Sequence, residues 1–300
     1  MTMYKCKVCG NSENNKPFVA REMMFGLKEE FDYFECSHCG CLQIVEVPSN
    51  LAKYYPEEYY ASTEKLPELP APIKLGEPVQ HWLELAGLDL DAEVLDVGSG
   101  RGHMLLELNK VGYSNLTGVD PFIEKDLNPQ PGVKVLNRTL EEVEGTYDFI
   151  MLHHSFEHMP DPIRTLKELY RLLKPNQLLL IRIPLSQSYA WKKYGVNWVQ
   201  LDTPRHLFLF SEKSIRILAD KIGFSIENIV YDSIGFQFYG SEVYKRDKTL
   251  MGFCQTIFGD PADFMFSKEE LQEFEDKAVE LNQKGEGDQA CFYLRKPDLN

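Results

Sequence analysis

Residues 93–120, EVLDVGSGRGHMLLELNKVGYSNLTGVD, decide the fold. Val94-Leu95-Asp96-Val97 is a short, mostly apolar run with β-branched residues, closed by glycine, which suits a buried parallel strand. Gly98, Gly100 and Gly102 follow at alternate positions, and Met104, Leu105, Leu106 and Leu108 begin a helical pattern that closes at Gly112. A second apolar run, residues 116–119, ends on Asp120. Strand, glycine turn, helix, strand and acid predict one βαβ unit with a ligand crevice at the strand tips.

Glycines lack Cβ atoms, so the backbone turns sharply and a ligand can lie against the main chain. The first free amides of the following helix point at that ligand. An acid about 20 residues further on can accept both hydroxyl protons of a ribose. The unit therefore reads as a site for an adenosine-type cofactor. A dinucleotide fingerprint needs a third glycine where this chain has His103, and Asp96 at the strand end would repel a pyrophosphate while attracting an ammonium group. The D-x-G-x-G-x-G pattern of Asp96, Gly98, Gly100 and Gly102 resembles the class I S-adenosylmethionine-dependent methyltransferases. That resemblance implies that the glycines line the methionine portion and that Asp120 holds the ribose. It makes Asp96, Gly98, Ser99, Gly100, Gly102, Asp120, Pro121, Thr139, Leu140 and His153 the cofactor-binding positions. No acid stands at the adenine position, Thr139-Leu140, so backbone contacts would have to serve there.

The first residues carry a second signal. Cys6-x-x-Cys9 and Cys36-x-x-Cys39 form two knuckles 26 residues apart, each followed by a glycine, Gly10 or Gly40. Four thiolates in two such pairs match a closed tetrahedral zinc site, which would be structural because no coordination position stays open. Cys41 is a bystander in this reading, and His38 inside a knuckle is not needed. Five of the seven cysteines lie in the first 41 residues, a local cluster and not a disulfide scaffold. The module is not basic: residues 1–50 hold five Lys or Arg against seven acids.

Over the whole chain 32 basic residues face 46 acidic ones, a net charge of −14, which argues against nucleic acid as partner. No apolar run approaches the roughly 18 residues needed to span a bilayer, and MTMYKCKVCG has no signal-peptide core. A cytoplasmic location and no membrane partner are expected. Between Pro48 and Pro78 six prolines imply an extended connector, yet four tyrosines fall in residues 54–60. These rings either pack into the seam between modules or form a lid over the ligands.

Downstream the chain keeps alternating. Residues 133–136, 147–152, 178–183 and 224–231 read as strands three to six, and residues 289–294 as an antiparallel last strand. Asp161-Pro162 and Ser211 start helices, and Pro175-Asn176 and Gly223 stop them. Residues 268–284 form an amphipathic helix, whereas 236–240 read as a substrate-side loop or strand. The fold expected is α/β: a doubly wound, Rossmann-like, seven-stranded methyltransferase sheet preceded by a small zinc-ribbon-like module. The divisions expected are 1–47 (four-cysteine module), 48–78 (Pro/Tyr-rich linker or lid) and 79–300 (catalytic domain, with a C-terminal extension from about 234).

The run YDFIMLHHSFEHMPDPIRTLKELYRLLKPNQLLLIRIP looks like the fourth- to fifth-strand region of the same family, with Asn176 replacing the usual glycine. WVQLDTPRHLFLFSEKSIRILADKIGF looks like a subgroup associated with polysaccharide or sugar modification, some of whose members carry a four-cysteine module. The resemblance implies methyl transfer to a small-molecule or glycan acceptor, a sugar or its precursor, by O- or C-methylation. His154, His153 and His206 are the candidate bases, since their loops should converge on the crevice. Arg205 is a candidate for orienting an anionic acceptor and Trp198 for stacking on a sugar face. The rival readings are an RNA or protein methyltransferase that uses the zinc module as reader, and a non-catalytic cofactor-binding scaffold.

Overall fold

The computed structural model describes residues 4–56, 79–257 and 265–298. Tyr59, Tyr60 and most of the proline-rich connector lie outside these residues. The strands are, in chain order, β1 (Lys16–Arg21), β2 (Glu30–Glu35), β3 (Leu42–Ile44), β4 (Glu93–Val97), β5 (Asn115–Val119), β6 (Leu127–Gln130), β7 (Val133–Leu136), β8 (Tyr147–His153), β9 (Leu173–Pro184), β10 (Phe208–Leu209), β11 (Ser225–Tyr231) and β12 (Gln289–Arg295). They make two sheets, one of order β1-β2-β3-β10 and one of order β11-β12-β9-β8-β4-β5-β7-β6.

The larger sheet is parallel at its centre: β4 pairs with β5 and β8, β5 with β7, and β8 with β9. The middles of its central strands are apolar because both faces are covered; Val94, Leu95, Ile150, Leu152, Leu179 and Ile181 are all buried. β12 inserts antiparallel between β9 and β11. This is the doubly wound, seven-stranded arrangement, with β6 added as an antiparallel edge. Pro129 in β6 fits that place, since an edge strand tolerates a missing donor. From β4 the chain builds outward through β5 and β7, then returns to place β8 on the other side of β4. That reversal sets the crevice at the carboxyl tip of β4.

Local signals mark the helix ends. The Asp161 carboxylate accepts the Arg164 amide at the start of helix Pro162–Leu172, and Ser211 accepts the Ser214 amide at the start of helix Glu212–Ile222. Gly223 ends the latter at φ +101°, and Asn176 takes the left-handed conformation, φ +58°. Helix Lys268–Lys284 matches the periodicity read from the sequence. Residues 236–240 differ from expectation: they open a helix, Phe236–Lys245, not a loop or strand. Tyr239, Val243 and Tyr244 pack there with Phe253, Phe266 and Leu271, and Gly240 lies against Val199. Burial on nearly every side of this helix outweighs the strand-like preference of its aromatic residues.

The smaller sheet is not freestanding. Its fourth strand, β10, comes from beyond residue 200, and one continuous core runs from Cys6, Val8, Tyr33 and Leu42 to Leu95, Ile150 and Ile181. The Tyr33 hydroxyl donates to the His206 carbonyl at 2.9 Å, Ser186 Oγ to the Gly40 carbonyl at 2.7 Å, and Ser211 Oγ to the Cys39 carbonyl. Among the described residues no helix is long and apolar enough to cross a membrane.

Candidate functional site: a glycine crevice beside a histidine–carboxylate cluster

The turn after β4 is folded back on the tip of β5. The amides of Gly98 and Ser99 donate to the Val119 carbonyl, at 2.8 and 3.3 Å. Asp120 Oδ2 accepts the Gly100 amide at 3.0 Å, and Oδ1 accepts the Phe122 amide at 2.8 Å. Each carboxylate oxygen keeps a lone pair for a further donor. The three glycines all have positive φ but meet different surroundings. A Cβ on Gly98 would lie 2.5 Å from the Ser155 Cβ, and one on Gly102 would lie 2.6 Å from Val135 Cγ2. A Cβ on Gly100 would enter open space. Gly100 therefore faces the volume where a ligand can lie against the backbone, while its neighbours permit close packing beneath.

Asp96 is 2% exposed, and among the described residues no cation is paired with it. Burial, reinforced by the charge of Asp120, raises its carboxyl from an ordinary 3.8 to about 7. A buried carboxylate held in this state is suited to receive an ammonium group, which would return it to the ionised form. Pro121 is exposed at the rim. Thr139 lies beyond the tip of β7, and its amide is already engaged by Glu142 Oε2 at 2.8 Å in a capping box. That amide is not free for an adenine.

The loop after β8 comes to the same edge. Ser155 packs against Gly98 and donates to the Val97 carbonyl at 2.7 Å, so β8 and β4 are locked at their tips. His154 stands beside it at φ +50°, a conformation that costs a non-glycine residue energy and tends to mark a site. Its Nδ1 lies 3.3 Å from Glu157 Oε1. Glu157 is wholly buried; its Oε1 faces the His154 and His206 rings, and its Oε2 has no hydrogen-bond partner among the described residues. Burial pushes its carboxyl up, but His154, His206 and His158 reverse this and bring it down to about 2. His206 moves the other way: burial, then the facing His158, bring it down to about 4. At neutral pH that ring is uncharged and does not balance Glu157.

His153 does not join this group. Both of its ring nitrogens are buried, without a hydrogen-bond partner among the described residues, and the ring lies 4.6 Å from that of Trp82. Burial, Arg182 and His154 hold it well below the usual imidazole range. Two acceptor-side readings are corrected here. Arg205 is fully buried, bound to Asp202 at 2.6 Å and Glu22 at 3.2 Å, and its guanidinium stacks 5.3 Å from the Phe25 ring. Trp198 is fully buried too, and its Nε1 donates to Asp288 Oδ2 at 2.8 Å. Both are structural, since burial leaves neither group facing an acceptor. Glu157 and Ser155 were given no role by sequence reasoning; the adjacent Glu157-His158 pair was the available signal. A groove of about 900 Å³ lined by Asn115, Thr117, Val133 and Tyr147 lies at the amino ends of the strands, opposite this crevice.

In the smaller sheet, the sulfurs of Cys6, Cys9, Cys36 and Cys39 lie within 4.8 Å of one another, and Cys41 is not of the group. Cys6 and Cys39 sulfurs are 3.6 Å apart and those of Cys9 and Cys36 3.5 Å. Gln43 Nε2 donates to Cys6 Sγ at 2.8 Å, an outer contact that suits a thiolate. Four clustered sulfur donors fit a tetrahedral metal ion.

Residues 71–229 match the family model described as methyltransferase domain. The chain belongs to that family. It carries a domain of the S-adenosylmethionine-dependent class, and the crevice residues suit that cosubstrate. Similar curated proteins include the ubiquinone biosynthesis O-methyltransferase of Pseudomonas aeruginosa, 31% identical over 139 residues, 42% of this chain and 59% of that one. Human EEF1A lysine methyltransferase 2 is 51% identical over 40 residues, 13% of this chain and 17% of that one. The chain thus spans less than two thirds of the length of these relatives. Among solved structures, 1,6-didemethyltoxoflavin-N1-methyltransferase of Burkholderia thailandensis is 14% identical with a TM-score of 0.48, covering 94% of this chain and 100% of that one.

Proposed function

We propose that this methyltransferase acts on a hydroxyl or activated carbon of a small, sugar-like acceptor or glycan precursor, with His154 as general base. The observation that carries the reading is the strained His154, held with Nδ1 3.3 Å from the buried Glu157 carboxylate next to the glycine crevice. A carboxylate only accepts, so Nδ1 bears a proton, and in the neutral ring Nε2 is the nitrogen left to take up another. S-adenosylmethionine, when bound, supplies a methyl group on a sulfonium that is already a good leaving group. Asp96 and the glycine turn would hold the amino-acid end, and Asp120 the ribose. The chain's remaining task is to place the acceptor within about 3–3.5 Å of that methyl group and take up its proton at His154 Nε2. The bonded hydroxyl oxygen gains the methyl carbon, and S-adenosylhomocysteine leaves.

The four cysteines are read here as a structural zinc centre, supported by their closed donor set. The 40-residue likeness to a lysine methyltransferase keeps a protein acceptor as the second reading. Turnover on nucleotide sugars and free glycosides, set against turnover on lysine peptides, separates the two. His154→Asn should lower kcat by about 10²–10⁴ while leaving S-adenosylhomocysteine affinity within about twofold. Unchanged kcat would remove His154 from the mechanism, and methylation of lysine peptides alone would sink the sugar reading.

A further inference from the structure

His158 and His206 are tied in the same way. His158 Nδ1 is 2.8 Å from the Arg205 carbonyl and 3.1 Å from the Tyr55 hydroxyl, and His206 Nδ1 is 2.7 Å from the Gln200 carbonyl. A carbonyl oxygen only accepts, so in both rings Nδ1 carries a proton, and Nε2 is the nitrogen left to ligate when the ring is neutral. The rings meet edge to face, 4.8 Å apart, and His206 Nε2 lies 3.8 Å from Glu157 Oε1. In its neutral form the His206 ring thus turns a lone pair toward a buried carboxylate whose Oε2 has no hydrogen-bond partner among the described residues. A ring nitrogen of His158 lies within 4.8 Å of the ligand atoms of both. Electron pairs facing one another repel, and burying a carboxylate without a full counter-charge is costly. Asp202, 3.9 Å from His206 Nε2, does not relieve this, because it is an acid already bound by Arg205. Among the described residues Glu157 is paired with no lysine or arginine, only with histidine rings.

We infer that Glu157, His158 and His206 form a second metal site, for a first-row divalent transition ion. One ligand atom from each lies within 4.8 Å of the others, so contraction by about an ångström gives the roughly 2.0–2.2 Å bonds of imidazole and carboxylate ligands. Two nitrogens and one carboxylate, without thiolate, suit manganese, iron, cobalt, nickel or zinc in preference to magnesium or calcium. Nδ1–H bonds to backbone carbonyls are the outer contacts that fix a ligating histidine's tautomer. Three protein ligands leave at least one coordination position for water or an acceptor oxygen. The site differs from the cysteine centre in donor chemistry; it shares Glu157 with the proposed His154 contact, so its test reads metal binding and not activity.

Titration of the full chain, its cysteines loaded with zinc, with Mn²⁺ followed by electron paramagnetic resonance tests this. One bound Mn²⁺ per chain is expected, and Glu157→Gln and His206→Asn should each weaken it by roughly tenfold or more. No Mn²⁺ or Co²⁺ bound beyond the zinc, or equal affinity in Glu157→Gln, would overturn the site. A variant that fails to fold does not obscure the answer, because wild-type imidazole ¹⁵N spectra give it directly. Substoichiometric Mn²⁺ should erase the Nε2 signals of His158 and His206 while sparing His103; sharp His158 and His206 signals throughout would refute the assignment.

Discussion

Gly98, Gly100 and Gly102 look interchangeable in the sequence and are not. Alanine at Gly98 forces its methyl group into Ser155, so Gly98→Ala should unfold at a clearly lower temperature. Gly100→Ala meets no atom and costs about 1–2 kcal/mol for the left-handed backbone, yet it should weaken S-adenosylhomocysteine binding by roughly tenfold or more. Calorimetry and thermal melts on the pair check this; equal binding in Gly100→Ala would move the ligand away from the turn. Asp96 makes a sharper case. Its carboxyl is raised by burial and by Asp120, so the folded state holds the proton more tightly than the unfolded chain does. That stabilisation is complete below an ordinary 3.8 and is lost as pH rises through about 7. Asp96→Asn should therefore flatten the fall in melting temperature of the ligand-free protein between pH 4 and 7. At pH 8 it should melt a few degrees higher than wild type, and it should bind S-adenosylhomocysteine far more weakly. A variant less stable at pH 8 would show that Asp96 is not strained in the empty crevice.

At the scale of elements, the legible parts are those whose signal is local. The turn after β4, the caps at Asp161 and Ser211 and the two cysteine knuckles each declare themselves within a few residues. The histidine–carboxylate cluster does not, because Glu157 and His206 meet only when β10 closes the smaller sheet and draws its preceding loop against the turn after β8. Arg205 and Trp198 were misread for the same reason: burial is a tertiary fact, and their partners Glu22 and Asp288 lie 183 and 90 residues away. Helix Phe236–Lys245 shows the reverse error, with aromatic residues chosen for packing taken for strand formers. The loop carrying His206 hangs on the smaller sheet through Tyr33 and through the Ile44 amide, which donates to the Leu207 carbonyl at 3.0 Å. Tyr33→Phe removes one of these ties. It should lower the melting temperature modestly, by about 1 kcal/mol of stability, and reduce kcat with little change in cofactor affinity. Denaturant melts and single-turnover rates would decide, and an unaffected kcat would uncouple the loop from chemistry.

Across the whole molecule, the continuous core gives the four-cysteine cluster a reach beyond its own knuckles. If Cys6, Cys9, Cys36 and Cys39 hold zinc, stripping it should lower the melting temperature of the entire chain in a single transition. Two separate transitions, or a Cys36→Ser protein that melts like wild type, would make the smaller sheet an independent appendage. The same integration bears on vectorial synthesis. β12 is the strand that β9 and β11 both need as a neighbour, and it occupies residues 289–295. On the ribosome the central sheet must wait with β9's outer edge bare and β11 unpaired until that stretch has emerged. The nascent chain thus carries an open, apolar strand edge while residues 185–288 are made, a natural client surface for holding chaperones.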